Sequence, residues 1–302
     1  MVKQTRGIIM LFSATLIWGT AFVAQRIGTE YIGAFMFNAA RFFVGAAVLV
    51  PIIIFFRRKE SHRDKGRDDA KATLTAGVIC GLVLYGMSTL QQIGIAYTTV
   101  GKAGFITALY IVFVPIGGGL FFRKRVRWFV WVGIGIAVAG MYLLCITGAL
   151  FLGLGDTLVF LCAIASAAHI LLVDHLGKAI DSVAFACVQF FTCAVLSLLS
   201  AVFFEPITWS SIVAAKYPIL YTGVLSCGVA YTFQMLGQKR VAPVITALIL
   251  SMEAVFATIS GWLILGEHLS ARQFIGCALM LAAILFAQIP DVLNRRSSPP
   301  LL

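Results

Sequence analysis

The sequence predicts an all-α integral membrane protein, with ten transmembrane helices arranged as two inverted five-helix repeats. Three observations predict it. Of 302 residues, 61% are hydrophobic and only 12% charged, and the mean hydropathy is +0.99. A soluble domain carries about 25% charged and roughly 45–50% apolar residues. The apolar residues also come in runs of about 20, the length that crosses a hydrocarbon core, with short polar breaks between them. Finally, the two halves of the chain match each other in order. A soluble globule, a disordered chain and a disulfide-stapled secreted module are excluded. The net charge of +11 and pI near 9.6 do not indicate a nucleic-acid partner, because the basic residues sit in the breaks between apolar runs, where the positive-inside rule places them.

The spans follow in order. The first, at 7–27, comes after Lys3 and Arg6. Its apolar part runs about 18 residues with no A-x-A cleavage signal, so it reads as a retained helix rather than a signal peptide. The second, at 33–56, ends at the longest break, Arg57 to Lys71, a charged and solvated loop. The remaining spans fall at 72–97, 101–122, 128–147, 155–176, 182–204, 217–238, 243–265 and 271–290. Short turns join them, so consecutive helices are expected to be antiparallel neighbours. The repeats divide as 1–147 and 148–290, with a tail at 291–302. All seven cysteines lie inside apolar runs without CxxC spacing, which makes them small apolar filler rather than a metal or redox site. No cofactor is expected.

Counting Lys and Arg sets the orientation. With the N-terminus in the cytoplasm, eighteen fall inside and four outside (Arg26, Lys102, Lys216, Arg272), with Arg41 left within a span. That asymmetry predicts both termini in the cytoplasm of a multi-pass inner-membrane protein.

Side by side, the halves place Gly28 on Gly177 and Thr20 on His169. Arg41-Phe42-Phe43 falls on Gln189-Phe190-Phe191, and Gly77, Tyr85 and Gln92 fall on Gly223, Tyr231 and Gln238. Val112-Phe113 falls on Val255-Phe256, and the basic RKRV from Arg123 falls on GEHL from Gly266. Five helices is an odd number, so the second copy enters the membrane upside down. The loss of Lys and Arg from RKRV to GEHL agrees with that inversion. Inverted repeats are a mark of transporters, because two interchangeable halves give inward- and outward-open states of similar energy.

Several segments then resemble one family: IWGTAFVAQRIG, NAARFFVGAAVL and GIAYTTVGKAGFITALYIVFVPI in the first half. In the second half they are LGDTLVFLCAIASAAHILL and VAPVITALILSMEAVFATISGWLILGEHLSARQFIGCALML. The sequence resembles the drug/metabolite transporter superfamily, in particular its EamA-like members, over nearly the whole chain. One departure is Ala254, where that pattern carries a proline after the glutamate; Pro115 is its remaining proline. The resemblance implies a central cavity lined by spans 1, 3, 4, 6, 8 and 9, with spans 5 and 10 peripheral and able to support a homodimer. It implies a secondary-active permease for a small metabolite, an amino acid or related compound, with export the common direction.

Polar groups deep in a span are costly and face a cavity or a partner. Glu253 lies about 15 Å into span nine at 1.5 Å per residue. A carboxyl there reads as a proton carrier, as a counter-ion for a cationic substrate group, or as a structural partner of a donor such as Arg41. Thr246, Glu253 and Ser260 recur on one face of the span. The repeat register matches Glu253 with Tyr110, also near the midplane. Pro115 is expected to bend span four. Trp18 is too deep for an interfacial belt, so it is either a core ring or a stacking wall. His169 reads as a proton shuttle or a satisfied core histidine. Tyr85 and Tyr231 are register mates and, with Gln234, candidate cavity walls. Gln91 and Gln92 are expected at the outer mouth, Lys102 at the outer surface, and Arg41 in an architectural role.

Rival functions find less support. Gly153-Leu154-Gly155-Asp156 matches the GxGD string of intramembrane aspartyl proteases, but that chemistry needs a second aspartate at membrane depth. Asp156 instead opens span six, where a helix N-cap explains it. HExxH, GxSxG and P-loop motifs are absent from the sequence, so an enzyme is not expected and this chain has no means to hydrolyse ATP. A channel would need rings of like groups; a channel or a non-transporting scaffold is the alternative.

Overall fold

The computed structural model describes residues 2–59, 67–98, 100–123, 126–145, 153–178, 180–265 and 270–296. Among them, all regular elements are helical. The centre of the basic loop (60–66), the GEHL segment, Lys124 and Arg125 of RKRV, the junction between the halves (146–152) and the end of the tail (297–302) lie outside the described residues. Among the described residues, eight helical stretches are long and apolar enough to cross a bilayer, and two shorter apolar helices, Trp128–Leu143 and Ala271–Ala283, accompany them.

The first half contains α1 (Val2–Gly28), α2 (Ala34–Lys59), α3 (Arg67–Ala96), α4 (Val100–Ala108), α5 (Tyr110–Phe122) and α6 (Trp128–Cys145). The second contains α7 (Leu154–Leu176), α8 (Ser182–Phe204), α9 (Trp209–Ala214), α10 (Lys216–Leu220), a π-helical stretch (Tyr221–Tyr231), α11 (Thr232–Gln238), α12 (Pro243–Leu250), α13 (Glu253–Leu265) and α14 (Ala271–Arg296). The pairs α4–α5 and α12–α13 each form one broken span, as do α10, the π stretch and α11.

Side chains satisfy several of the helix ends. Asp181 caps α8 by accepting the N–H groups of Val183 and Ala184 at 2.9 and 3.1 Å. Arg26 donates to the last carbonyls of α3, Ile95 and Ala96, at 2.8 and 3.0 Å. Asp156 is not the N-cap of α7. Gly153 takes that position, and Asp156 reaches back from the third helical residue to the Gly153 N–H at 3.3 Å. It also accepts from the Thr98 hydroxyl and from Lys102 Nζ, the latter at 3.4 Å, tying the α3–α4 turn to α7.

The N-terminus of α2 is capped from another helix. Glu205, just past α8, accepts the Phe35 and Met36 N–H groups with its two oxygens, each at 2.8 Å. Charge-assisted bonds at a helix N-terminus are worth about 1–2 kcal/mol. Glu205→Ala should therefore lower the melting temperature in detergent, with Glu205→Gln, which keeps one acceptor, falling between. An unchanged melting curve for the alanine variant would remove this cap from the account.

Between helices, small residues allow close approach, as expected where lipid gives no hydrophobic drive. A Cβ on Gly19 would stand 2.3 Å from Phe256 Cβ and 2.8 Å from the Ala257 nitrogen, so α1 can lie flush against α13 only with glycine there. The pairing pattern repeats under the register of the two halves. α1 packs on α13, and α7 packs on α4 and α5. Likewise α2 packs on the π stretch and α8 on α3, while α2–α8 and α6–α14 pair with each other. The register mates Phe42 and Phe190, and Phe43 and Phe191, meet with ring centroids 5.7 and 6.1 Å apart.

Both fourth spans break at matched positions. Leu109 N–H bonds Ile106 O at 3.2 Å, and Val112 N–H bonds Leu109 O at 2.9 Å. Met252 N–H bonds Ile249 O at 3.1 Å, and Ala254 N–H bonds Ser251 O at 3.2 Å. These i to i+3 bonds tighten the helix for one turn. Pro115 does not make the first break: it sits inside α5, beyond Leu109. The second break forms although Ala254 replaces the proline of the family pattern.

Candidate functional site

The breaks matter because they position the first residues after them, Tyr110 and Glu253. Both face a central cavity enclosing about 580 Å³ free of protein atoms, its mouth included. The first half contributes Trp18, Phe22 and Gln25 from α1, Arg41 from α2, Met87 and Gln91 from α3, Thr107 and Tyr110. The second contributes Ser166, His169 and Ile170 from α7, Ser226 and Tyr231 from the π stretch, Gln234, Leu250 and Glu253. Trp18, Tyr110, His169, Tyr231, Gln234 and Glu253, chosen from the sequence, thus come together.

Tyr85 does not join them. Its hydroxyl bonds Ser200 Oγ of α8 at 2.6 Å, so it points between α3 and α8. Gln92 is also turned away: it is fully buried and donates to the Gln25 carbonyl at 3.3 Å, whereas Gln91 lines the cavity and approaches Thr107 Oγ1 at 3.4 Å.

An aromatic wall forms one side. The Trp18 indole N–H donates to the Ser226 carbonyl at 3.2 Å. Its ring meets Tyr231 edge-on, centroids 4.7 Å apart at 63°. Tyr231 also meets His169 and Phe190, at 6.3 and 5.5 Å. Edge-to-face contacts at these distances hold the rings in fixed orientation. The Thr20 hydroxyl bonds Tyr221 at the start of the π stretch, anchoring α1 to the segment that presents Ser226.

Polar bonds run in parallel in the two halves. Arg41 Nη1 donates to Gln25 Oε1 at 2.9 Å, and His169 Nε2 bonds Gln189 Oε1 at 2.8 Å. Arg41 and Gln189 are register mates. Gln189 Nε2 is directed to the Phe185 carbonyl at 3.4 Å, which leaves its oxygen for His169 and makes Nε2 the protonated ring nitrogen. Gln238, mate of Gln92, donates to the Ile170 carbonyl at 3.3 Å.

Arg41, expected in an architectural role, also reaches the cavity. It is 96% buried, its guanidinium carbon lies 4.8 Å from the Phe42 ring centroid, and it lines the cavity. A long side chain reaches past its own helix, so the depth of α2 did not reveal it. Among the described residues, Arg41 and Glu253 form no ion pair. Glu253 faces the Tyr110 hydroxyl, with no hydrogen bond of ordinary length between Glu253 Oε1 and Tyr110 Oη. Glu253 Oε1, Tyr110 Oη, Arg41 Nε and Gln234 Oε1 are all buried without a protein partner. Unmet polar atoms cost several kcal/mol each in a membrane interior, so four of them around one cavity point to a polar occupant.

A helical membrane protein whose polar side chains converge from both halves on one buried cavity has the architecture of a transporter. The chain belongs to the EamA-like transporter family, whose profile matches it twice, over residues 5–146 and 153–288. It is similar to a protein of Archaeoglobus fulgidus named an uncharacterized transporter, 29% identical over 292 residues, covering 95% of this chain and 87% of that one. It is also similar to the uncharacterized transporter YoaV of Bacillus subtilis, 27% identical over 296 residues, covering 94% and 96%. A solved crystal structure aligns with a TM-score of 0.76 at 19% identity, over 97% of this chain and 99% of that one, a likeness of fold.

Proposed function

We propose that the protein is a secondary-active carrier of a small zwitterionic metabolite, an amino acid or related compound, working by alternating access. In this reading ten spans form two inverted halves, 1–147 and 148–290, that rock about the central cavity. The protein sits in the inner membrane with both termini cytoplasmic, and the family resemblance favours export. The observation that carries the reading is the pair of matched breaks, which set Tyr110 and Glu253 opposite each other. The repeated packing of register mates supports the same symmetry, as transporters with midplane sites require. The separated Arg41 and Glu253 side chains support the substrate class: a guanidinium suits a carboxylate, and a carboxylate suits an ammonium.

A thermal-shift panel of amino acids, amines, organic acids and nucleosides tests it. A ligand at about 100 times its dissociation constant adds roughly 2.7 kcal/mol of stability. Zwitterions should stabilise the purified protein more than matched amines or acids, and should show saturable counterflow in proteoliposomes. Flux that rises without saturation would indicate a channel; a panel without zwitterion hits would remove the substrate assignment. Orientation is read separately: a cysteine introduced at residue 63 should label only from the cytoplasmic side.

A further inference from the structure

A second cavity, open to the outside and holding about 790 Å³ free of protein atoms with its mouth included, lies where α7 ends, α8 begins, α11 ends and α12 begins. It is on the face that carries the start of α1, since Arg240 contacts Met10 of that helix. Lys178, Lys239 and Arg240 line it against the single carboxylate of Asp174. Asp174 pairs with Lys178 at 3.7 Å and Lys239 Nζ donates to the Ile180 carbonyl; by formal charge the charged lining side chains are three cations and one anion.

Two further features make it a site rather than a charged rim. α12 opens with Ala242 and Pro243, with no side chain capping it, and its first intrahelical bond runs from Thr246 N–H to Ala242 O at 2.8 Å. The Val244 and Ile245 N–H groups ahead of that bond have no acceptor within the helix, and they carry the positive end of its dipole. Independently, the residues Ser182 and Gln238 line the cavity, each is 5% exposed, and Ser182 Oγ and Gln238 Oε1 have no protein partner. The hydroxyl can donate to an anion, while the amide oxygen needs a donor from the ligand.

We infer that this cavity binds a phosphate group that also carries a hydroxyl, either a free hydrogen phosphate or the headgroup of an anionic glycerophospholipid. Several cations and an uncapped helix N-terminus suit an anion with many oxygens, and Gln238 Oε1 takes the P–OH or headgroup hydroxyl. Basic pockets between transmembrane helices on the cytoplasmic side hold lipid phosphates by the same physics. The site does not depend on the carrier reading, and its test needs no flux.

Melting is measured in uncharged detergent with sodium phosphate or sodium chloride at equal ionic strength. It is measured again with phosphatidylglycerol or phosphatidylcholine added to the micelles. Phosphate, phosphatidylglycerol or both should raise the melting temperature by about 5 °C near saturation, each relative to its matched control. Stabilisation by phosphate identifies a soluble ion as a ligand, and stabilisation by the lipid alone identifies the headgroup. Lys178→Gln with Arg240→Gln should abolish the rise. Ser182→Ala, which removes a hydroxyl with no partner in the fold, should reduce it without lowering the basal melting point. A rise that survives in Ser182→Ala and the double variant alike, or the absence of any rise, overturns the site.

Discussion

Glu253→Gln should melt within about 1 kcal/mol of the parent protein while losing proton-driven flux of its substrate to background. The two halves of that result separate the roles a buried glutamate can have. Removing one member of a buried ion pair costs about 3–5 kcal/mol, because the partner is left charged and alone. Glu253 has no such partner among the described residues, and its Oε1 makes no hydrogen bond. The amide is nearly isosteric, so the fold loses little. What the amide cannot do is exchange a proton or neutralise an ammonium group. Flux measured against an imposed pH gradient should therefore become flat in the variant, and zwitterion stabilisation should fall. Tyr110→Phe removes the hydroxyl facing the carboxyl and should weaken binding by less, since an uncharged hydrogen bond is worth about 0.5–1.5 kcal/mol. If Glu253→Gln unfolds the protein, the glutamate is structural; if pH-driven flux persists, it carries no proton.

The helical architecture was legible because apolar run length is a strong signal when the solvent is lipid. Much of the cavity was legible for a related reason. A polar or aromatic group at mid-depth has few tolerable places, so depth selected Trp18 and Glu253, the repeat register added Tyr110, and side-chain chemistry added His169. Tyr85 shows where that logic stops. Its match to Tyr231 is a match of register, and register says nothing of helix rotation. In α3 the ring faces α8 and finds Ser200, while Tyr231 is carried on a π-helical stretch that turns it toward Trp18 and His169.

That π stretch had no signal in composition, because i to i+5 bonding is a property of backbone geometry and neighbours. The breaks at Leu109 and Ser251–Met252 were hidden for the same reason. A proline is the sequence sign of a bend, and Pro115 lies past the first break while neither break contains one. Asp156 was misplaced by three residues, within the uncertainty of helix boundaries read from sequence. The smaller polar lining groups, Thr107, Ser166 and Ser226, carry a weak signal. Ser and Thr are common within membrane helices, where they bond their own backbone.

Arg41 was read from the sequence as architectural and in the structure also lines the cavity, and its substitution discriminates between two accounts. As an architectural cation it would be valued for Gln25 and Phe42, which it touches at 2.9 Å and 4.8 Å. As a substrate anchor it would be valued for the Nε–H that no protein group accepts. Arg41→Lys keeps the charge and loses the planar fork, and Arg41→Gln loses both. A charge-assisted hydrogen bond to a carboxylate is worth about 1.5–3 kcal/mol. Arg41→Gln should therefore weaken binding of a zwitterion by about 10- to 100-fold, and Arg41→Lys should recover part of it. Binding of the matched amine, which lacks the carboxylate, should barely change in either variant. That selectivity is what an architectural role cannot produce, since loosening α1 against α2 would weaken both ligands alike. Isothermal titration of the zwitterion and its decarboxylated analogue against the three proteins reads the difference directly. Equal losses for the two ligands would return Arg41 to the scaffold and leave Glu253 as the charged group that recognises substrate.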